Sequence, residues 1–235
     1  ALADYNQAIK LETDDATAYF YRGTNYLGEL YFDRAISDYD RVIELDPDHI
    51  KACLSRGVAY TYLRDFDRAI VDLSRAVQLD PNSADAHRYL GAAYTGKGEV
   101  DHAVTELDKA IQLKPDYAEA YLNRGAVYST KADYDRAIDN YGMAIQLKPD
   151  YSEAYYNRGI AYYKKGDIGR AIADFDKAIQ LKPDLAEAYG NLGIIHMLKG
   201  AKEKAIADFK KVLELTNDPQ LRQKAQDALK SLGAQ

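Results

Sequence analysis

The segment Gly91-Ala-Ala-Tyr-Thr-Gly96-Lys97 reproduces most of the glycine-rich loop that cradles nucleotide phosphates. In that loop glycines let backbone N–H groups approach the phosphate and a lysine reaches its outer oxygens. The chemistry fails at the next residue, which is Gly98 rather than the Ser or Thr that magnesium requires, and no strand precedes the segment. Gly125-Ala-Val-Tyr-Ser-Thr-Lys131 shows the same register without the second glycine. His49, His87, His102 and His196 occupy four different positions of a recurring pattern and form no i, i+4 pair for a metal. His87 and His196 stand where neighbouring segments place packing aromatics. Cys53, the single cysteine, lies in a helix-packing position and allows no internal disulfide. No histidine has a Ser or Cys neighbour suited to nucleophilic attack. The expectation is a chain that is not an enzyme and carries no cofactor or metal.

Composition narrows the partners. A formal net charge of −6 disfavours nucleic acid, which needs clustered Lys and Arg. No run of apolar residues reaches the roughly 18 needed to span a membrane. Residues 1–5 lack the basic-then-apolar pattern of a signal peptide. The chain opens without Met and inside a helical pattern, so we expect a cytoplasmic section of a longer protein. Tyrosine is abundant, 21 residues against five Phe and no Trp, which suits half-buried helical positions where a ring packs and a hydroxyl finds a partner.

The elements that hold these residues follow from a 34-residue period. Gly23, Gly57, Gly91, Gly125, Gly159 and Gly193 form one column, and Ala35, Ala69, Ala103, Ala137, Ala171 and Ala205 another. Pro47, Pro81, Pro115, Pro149 and Pro183 keep the step, as do Tyr26, Tyr60, Tyr94, Tyr128 and Tyr162, with His196 in sixth place. Ala120, Tyr121, Val127 and Tyr128 follow helical spacing, then Ala137, Ile138, Tyr141, Ala144 and Ile145 do so again, so each repeat is two helices, A and B. Lys97-Gly98, Lys165-Gly166 and Lys199-Gly200 are read as left-handed ends of helix A, and the Lys-Pro pairs at 114–115 and 148–149 as stops of helix B. Asp116-x-x-Glu119, Asp150-x-x-Glu153 and Asp184-x-x-Glu187 are read as capping boxes opening the next helix A. A glycine inside helix A costs about 1 kcal/mol relative to alanine, so its recurrence implies that helix B crosses closely there.

The segment Ala118-Glu-Ala-Tyr-Leu-Asn-Arg-Gly125, followed by Tyr128, Ala137, Ala144 and Pro149, resembles the signature of the tetratricopeptide repeat family. The resemblance implies an all-α fold, a right-handed superhelical α-solenoid of antiparallel helix pairs. It covers six complete repeats at 16–219 (16–49, 50–83, 84–117, 118–151, 152–185 and 186–219). Residues 1–15 resemble helix B of a truncated repeat, and 220–235 a capping helix opened by Asp218-Pro219. Arg22, Arg56, Arg124 and Arg158 depart from the family's commoner Leu, which Leu90 and Leu192 keep.

The resemblance further implies that helix A lines a concave, peptide-binding groove. Asn123, Asn157 and Asn191 form a ladder there; mid-helix asparagine is disfavoured, yet its amide can clamp an extended backbone. Duplication of similar repeats would also propagate such a ladder. Tyr21, Tyr89, Tyr156 and Tyr163 add aromatic area, as do Phe20 and Tyr62; contact with a neighbouring repeat is the alternative reading, and for Tyr156 and Tyr163 binding is the favoured one. Glu119 and Glu153, with Glu187, stand four residues before the ladder. The clamp that family members use for a terminal carboxylate is missing: its asparagine place holds Thr24, Val58, Ala92, Ala126, Ile160 and Ile194. The expected partner is a protein or an extended peptide, neutral or basic. Self-association end to end through the N-terminal half-repeat, with Leu2, Tyr5, Ala8 and Ile9 uncovered, is a further expectation. The leading function is a protein–protein interaction scaffold. The alternative is a targeting or regulatory module of a larger enzyme; irregular differences between repeats disfavour a consensus-designed array.

Overall fold

A computed structural model describes residues 2–11 and 14–234. Its helices are α1 (Leu2–Leu11), α2 (Ala16–Gly28), α3 (Phe32–Leu45), α4 (Ile50–Tyr62), α5 (Phe66–Leu79), α6 (Ala84–Lys97) and α7 (Val100–Leu113), then α8 (Ala118–Thr130), α9 (Tyr134–Leu147), α10 (Ser152–Lys164), α11 (Ile168–Leu181), α12 (Ala186–Leu198), α13 (Lys202–Leu215) and α14 (Pro219–Ser231). Among the described residues there is no strand. The chain divides into two compact units, Ala1–Val127 and Tyr128–Gln235.

In the first unit α2 pairs with α3, α4 with α5 and α6 with α7, and each pair packs on the next; α1 lies on α2. In the second, α10 pairs with α11 and α12 with α13, with α9 against α10 and α14 against α13. The glycine column lies where these pairs cross. A Cβ on Gly57 would sit 2.6 Å from Leu73 Cγ, and one on Gly193 2.8 Å from Phe209 Cε1. The alanine column is fully buried at Ala35, Ala69, Ala103, Ala137, Ala171 and Ala205. Small residues on both partners thus let the helices approach, and Tyr39, Leu73, Leu107, Phe175 and Phe209 fill the remaining space. Gly96 is explained the same way, since a Cβ there would strike the Phe66 ring.

Three rings of the tyrosine column carry a guanidinium over them, and a fourth an imidazole. The Arg68, Arg136 and Arg170 guanidinium carbons lie 4.4, 4.7 and 4.5 Å from the ring centres of Tyr60, Tyr128 and Tyr162. His102 takes that place at Tyr94, 5.1 Å away.

Helix ends follow local rules, with one correction. The residue before each proline is driven to extended backbone: Asp46, Asp80, Lys114, Lys148 and Lys182 all have φ between −139° and −133° and end helix B. A four-residue turn then occupies the expected cap positions; Tyr151 N–H donates to Lys148 O at 3.1 Å and Leu185 N–H to Lys182 O at 3.2 Å. Asp116, Asp150 and Asp184 therefore lie two residues before helices that begin at Ala118, Ser152 and Ala186, and are not capping boxes. The N-caps of α10 and α12 are Tyr151 and Leu185, without a side-chain cap bond. Side-chain caps occur instead at Asp15, His49 and Ser83 on helix A, and at Asp65, Asp133 and Asp167 on helix B. Asp218 caps α14 by accepting from Leu221 N–H at 2.7 Å.

Helix A ends in a left-handed residue at Gly98, Gly166 and Gly200, but also at Leu30 (φ 63°), Arg64 (φ 61°) and Ala132 (φ 57°). Leu30 is exposed, so its side chain offsets little of the strain. Leu30→Gly and Ala132→Gly are each expected to raise the unfolding free energy by about 1 kcal/mol, read as a higher denaturation midpoint.

Candidate functional site

The arginines that depart from the commoner leucine organise the polar interior. Arg56 on α4 forms a two-pronged pair with the buried Asp72 on α5, Nε to Oδ2 and Nη2 to Oδ1, both at 2.7 Å. Its Nη1 reaches back to Asp40 on α3 at 2.6 Å, so one side chain ties three helices together. Arg22 repeats the arrangement with Asp38 and with Asn6 on α1. Arg158 pairs with Asp174 in the second unit, and Arg124 reaches Asp108 in the first. The bond to Asp72 holds the Arg56 guanidinium well above its usual range. Where the arginine is leucine, a histidine from one of two packing columns meets the acidic residue instead. His87 Nδ1 lies 2.6 Å from Glu106, next to Leu90, and His196 Nδ1 lies 2.6 Å from Asp208, next to Leu192. Both histidines are thereby engaged in structure, as is His49 at its helix cap. Burial pushes the Cys53 thiol up. Among the described residues no group of three or more His, Cys, Asp or Glu side chains is placed to hold a metal ion. An Asp stands 16 residues after Arg22, Arg56 and Arg158 in the sequence, a regularity that becomes a network only because the two helices of each hairpin lie side by side.

The expected groove residues divide between the units. In the first, Tyr21 is exposed and stacks on Tyr5, ring centres 6.1 Å apart, while meeting Phe20 edge-on at 5.5 Å. This contact and the Asn6–Arg22 bond partly cover α1, which has no buried residue of its own. Tyr89 packs against the core around Leu73 and Leu90, beneath the Arg88 guanidinium at 3.7 Å. Glu119 and Asn123 lie half-buried on α8.

The second unit brings its candidates together. Glu153, Tyr156 and Asn157 on α10 line a cleft of about 310 Å³ with Lys182 and Glu187. Tyr156 and Glu187 also border a second cleft, of about 390 Å³, that runs past Asn191 to Lys224 on α14. Asn191 Nδ2 donates to Tyr156 Oη at 3.3 Å, and the Tyr156 ring leans on Phe175 at 5.9 Å. Burial pushes the Tyr156 hydroxyl up, and the Asn191 bond partly opposes this. Tyr163 is packed on the core around Tyr162 and Leu192 and offers only part of its ring. Gly190, Leu221 and Lys224, none of them among the expected groove residues, complete the larger cleft.

Tetratricopeptide repeat models match residues 152–185 and 186–216, and a TPR repeat model matches 59–98, 93–131 and 133–166. The chain belongs to the tetratricopeptide repeat family. Its fold class is that family's all-α solenoid of antiparallel helix pairs. The crystal structure of MamA protein is 34% identical, with a TM-score of 0.60, over 73% of this chain and 94% of that one. A tetratricopeptide repeat protein from Parabacteroides merdae is 21% identical with a TM-score of 0.81, over 97% and 91% of the two chains. YrrB, a TPR protein with an unusual peptide-binding site, is 24% identical with a TM-score of 0.58, over 80% and 97%. Among curated proteins none matches the sequence. Membership makes this chain a protein-interaction scaffold, of a fold that is generally non-catalytic. No described helix is long and apolar enough to cross a membrane.

Proposed function

We propose that the helix-A face of the second TPR unit, on α10 and α12, binds an extended, neutral or basic segment of a partner protein. The observation that carries this reading is the pair of adjoining clefts sharing Tyr156 and Glu187, with the amides of Asn157 and Asn191 along them. Such amides donate to and accept from a peptide backbone irrespective of its side chains. Glu153 and Glu187 enter no ion pair among the described residues, so both carboxylates are available to a cationic side chain. Asn123 and Glu119 extend the same pattern of residue types on α8, and Tyr21 and Tyr89 supply aromatic area in the first unit. YrrB gives the reading a precedent on this fold.

The test is a peptide array probed with the full chain, followed by calorimetry on the hits. Neutral and Lys- or Arg-containing peptides are expected to bind, and Asn157→Ala with Asn191→Ala to weaken them about 30-fold, two hydrogen bonds at roughly 1 kcal/mol each. Selection of acidic peptides, or hits indifferent to both substitutions, would overturn the proposal.

A further inference from the structure

Gly190 departs from its column. The equivalent residues of the earlier repeats are Phe20, Leu54, Arg88, Leu122 and Tyr156, all long side chains. Three of them reach the element that follows their own hairpin. The Phe20 ring centre lies 5.1 Å from that of His49, the cap of α4. Arg88 Nε donates to Tyr117 Oη at 2.5 Å, and Tyr156 Oη accepts from Asn191 on α12 at 3.3 Å. In the sixth hairpin the following element is α14, and Gly190 sends nothing toward it.

Packing does not require that glycine. A Cβ on Gly190 would meet nothing nearer than Leu221 Cδ1 and Val212 Cγ2, both at 3.8 Å, an ordinary contact; Gly193, one turn on, would bring a Cβ to 2.8 Å of Phe209 Cε1. Helix propensity disfavours Gly190 as well. What the missing side chain leaves is the cleft of about 390 Å³, lined by the apolar Ile194, Met197, Leu221 and Ala225 together with the charged Glu187 and Lys224. Ile194 stands there exposed. An apolar recess with a few polar groups at its rim suits one inserted side chain.

We propose that this cleft is an anchor pocket that takes a single aromatic or branched aliphatic side chain of the partner segment, in the place the repeat's own side chain vacates. The proposal rests on the groove reading above. It commits to a peptide with Lys or Arg on the α10 side of the anchor, because two carboxylates, Glu153 and Glu187, against the single cation Lys182 line the cleft on that side.

The pocket is testable without the natural partner. The full chain, methyl-labelled at Met, Ile and Leu, is titrated with p-cresol and with 3-methylbutanol as free anchor analogues. Saturable shifts at the Met197, Ile194 and Leu221 methyls are expected, and their loss in Gly190→Leu, which fills the cleft and replaces a poor helix former, so Tm rises. Ile194→Arg, at an exposed site, closes the mouth by a second route should Gly190→Leu fail to fold. Silence at those methyls, or shifts that persist in the folded variants, overturns the pocket. With an array-selected peptide the two readings separate. An affinity that falls by about tenfold or more in Gly190→Leu supports the anchor. An affinity lost in the Asn157/Asn191 variant but unchanged in Gly190→Leu overturns the anchor and leaves the groove standing.

Discussion

Asp72→Ala lowers the unfolding free energy by about 2–3 kcal/mol, a central value for removing one partner of a charged, mostly buried pair. The side chains of Arg56 and Asp72 are 20% and 8% exposed, so neither charge is well hydrated. Without Asp72 the guanidinium keeps only Asp40, whose side chain is 46% exposed, and two of its donors lose their acceptors. The loss therefore comes chiefly from a stranded charge. It follows that Arg56→Leu combined with Asp72→Ala costs less than Asp72→Ala alone, since leucine already serves in this column at Leu90 and Leu192, both buried. Urea denaturation of the two single variants and the double variant checks this; additive losses would show that the two side chains act independently.

Gly57→Val lowers stability by about 3 kcal/mol, the upper part of the range for overpacking a filled core. The introduced Cβ would lie 2.6 Å from Leu73 Cγ and 3.3 Å from the Ala69 carbonyl oxygen. Leu73 is fully buried and contacted at a branch carbon rather than a mobile tip, so the helices must separate. The gain in helix propensity over glycine, well under 1 kcal/mol for valine, is too small to compensate. Gly28→Ala is the control: nothing lies within 4 Å of its Cβ position, and the same change of backbone freedom there raises stability by a few tenths of a kcal/mol. If thermal unfolding ranks the two substitutions equally, close helix crossing is not what the glycine column serves.

These cases mark how much was legible beforehand. Helix periodicity, the proline stops and the Asp218-Pro219 start depend on interactions within a few residues, and the glycine and alanine crossings recur at a fixed period, so all can be read along the chain. The expected capping boxes fail for an equally local reason: a turn bonded from Lys148 to Tyr151 competes for the cap positions, and nothing in Asp150-x-x-Glu153 itself reveals it. The candidate site was legible in part. Tyr156, Asn157 and Glu153 share a helix face, and their proximity follows from spacing alone, whereas Tyr163 shows that the same spacing does not separate a groove ring from one packed on the core.

The sequence by itself determined the two-helix repeat, its core columns and its family, because each is a recurrence of residue type at fixed spacing. Only the tertiary structure decided what the departures from that recurrence do. Arg56 meets Asp72 from 16 residues away and Asp40 from 16 in the other direction, and the vacancy at Gly190 becomes a cleft because α14 lies across it. Both depend on which helices are brought side by side, and that is set by burial of the repeated apolar faces rather than by anything local to the residues concerned.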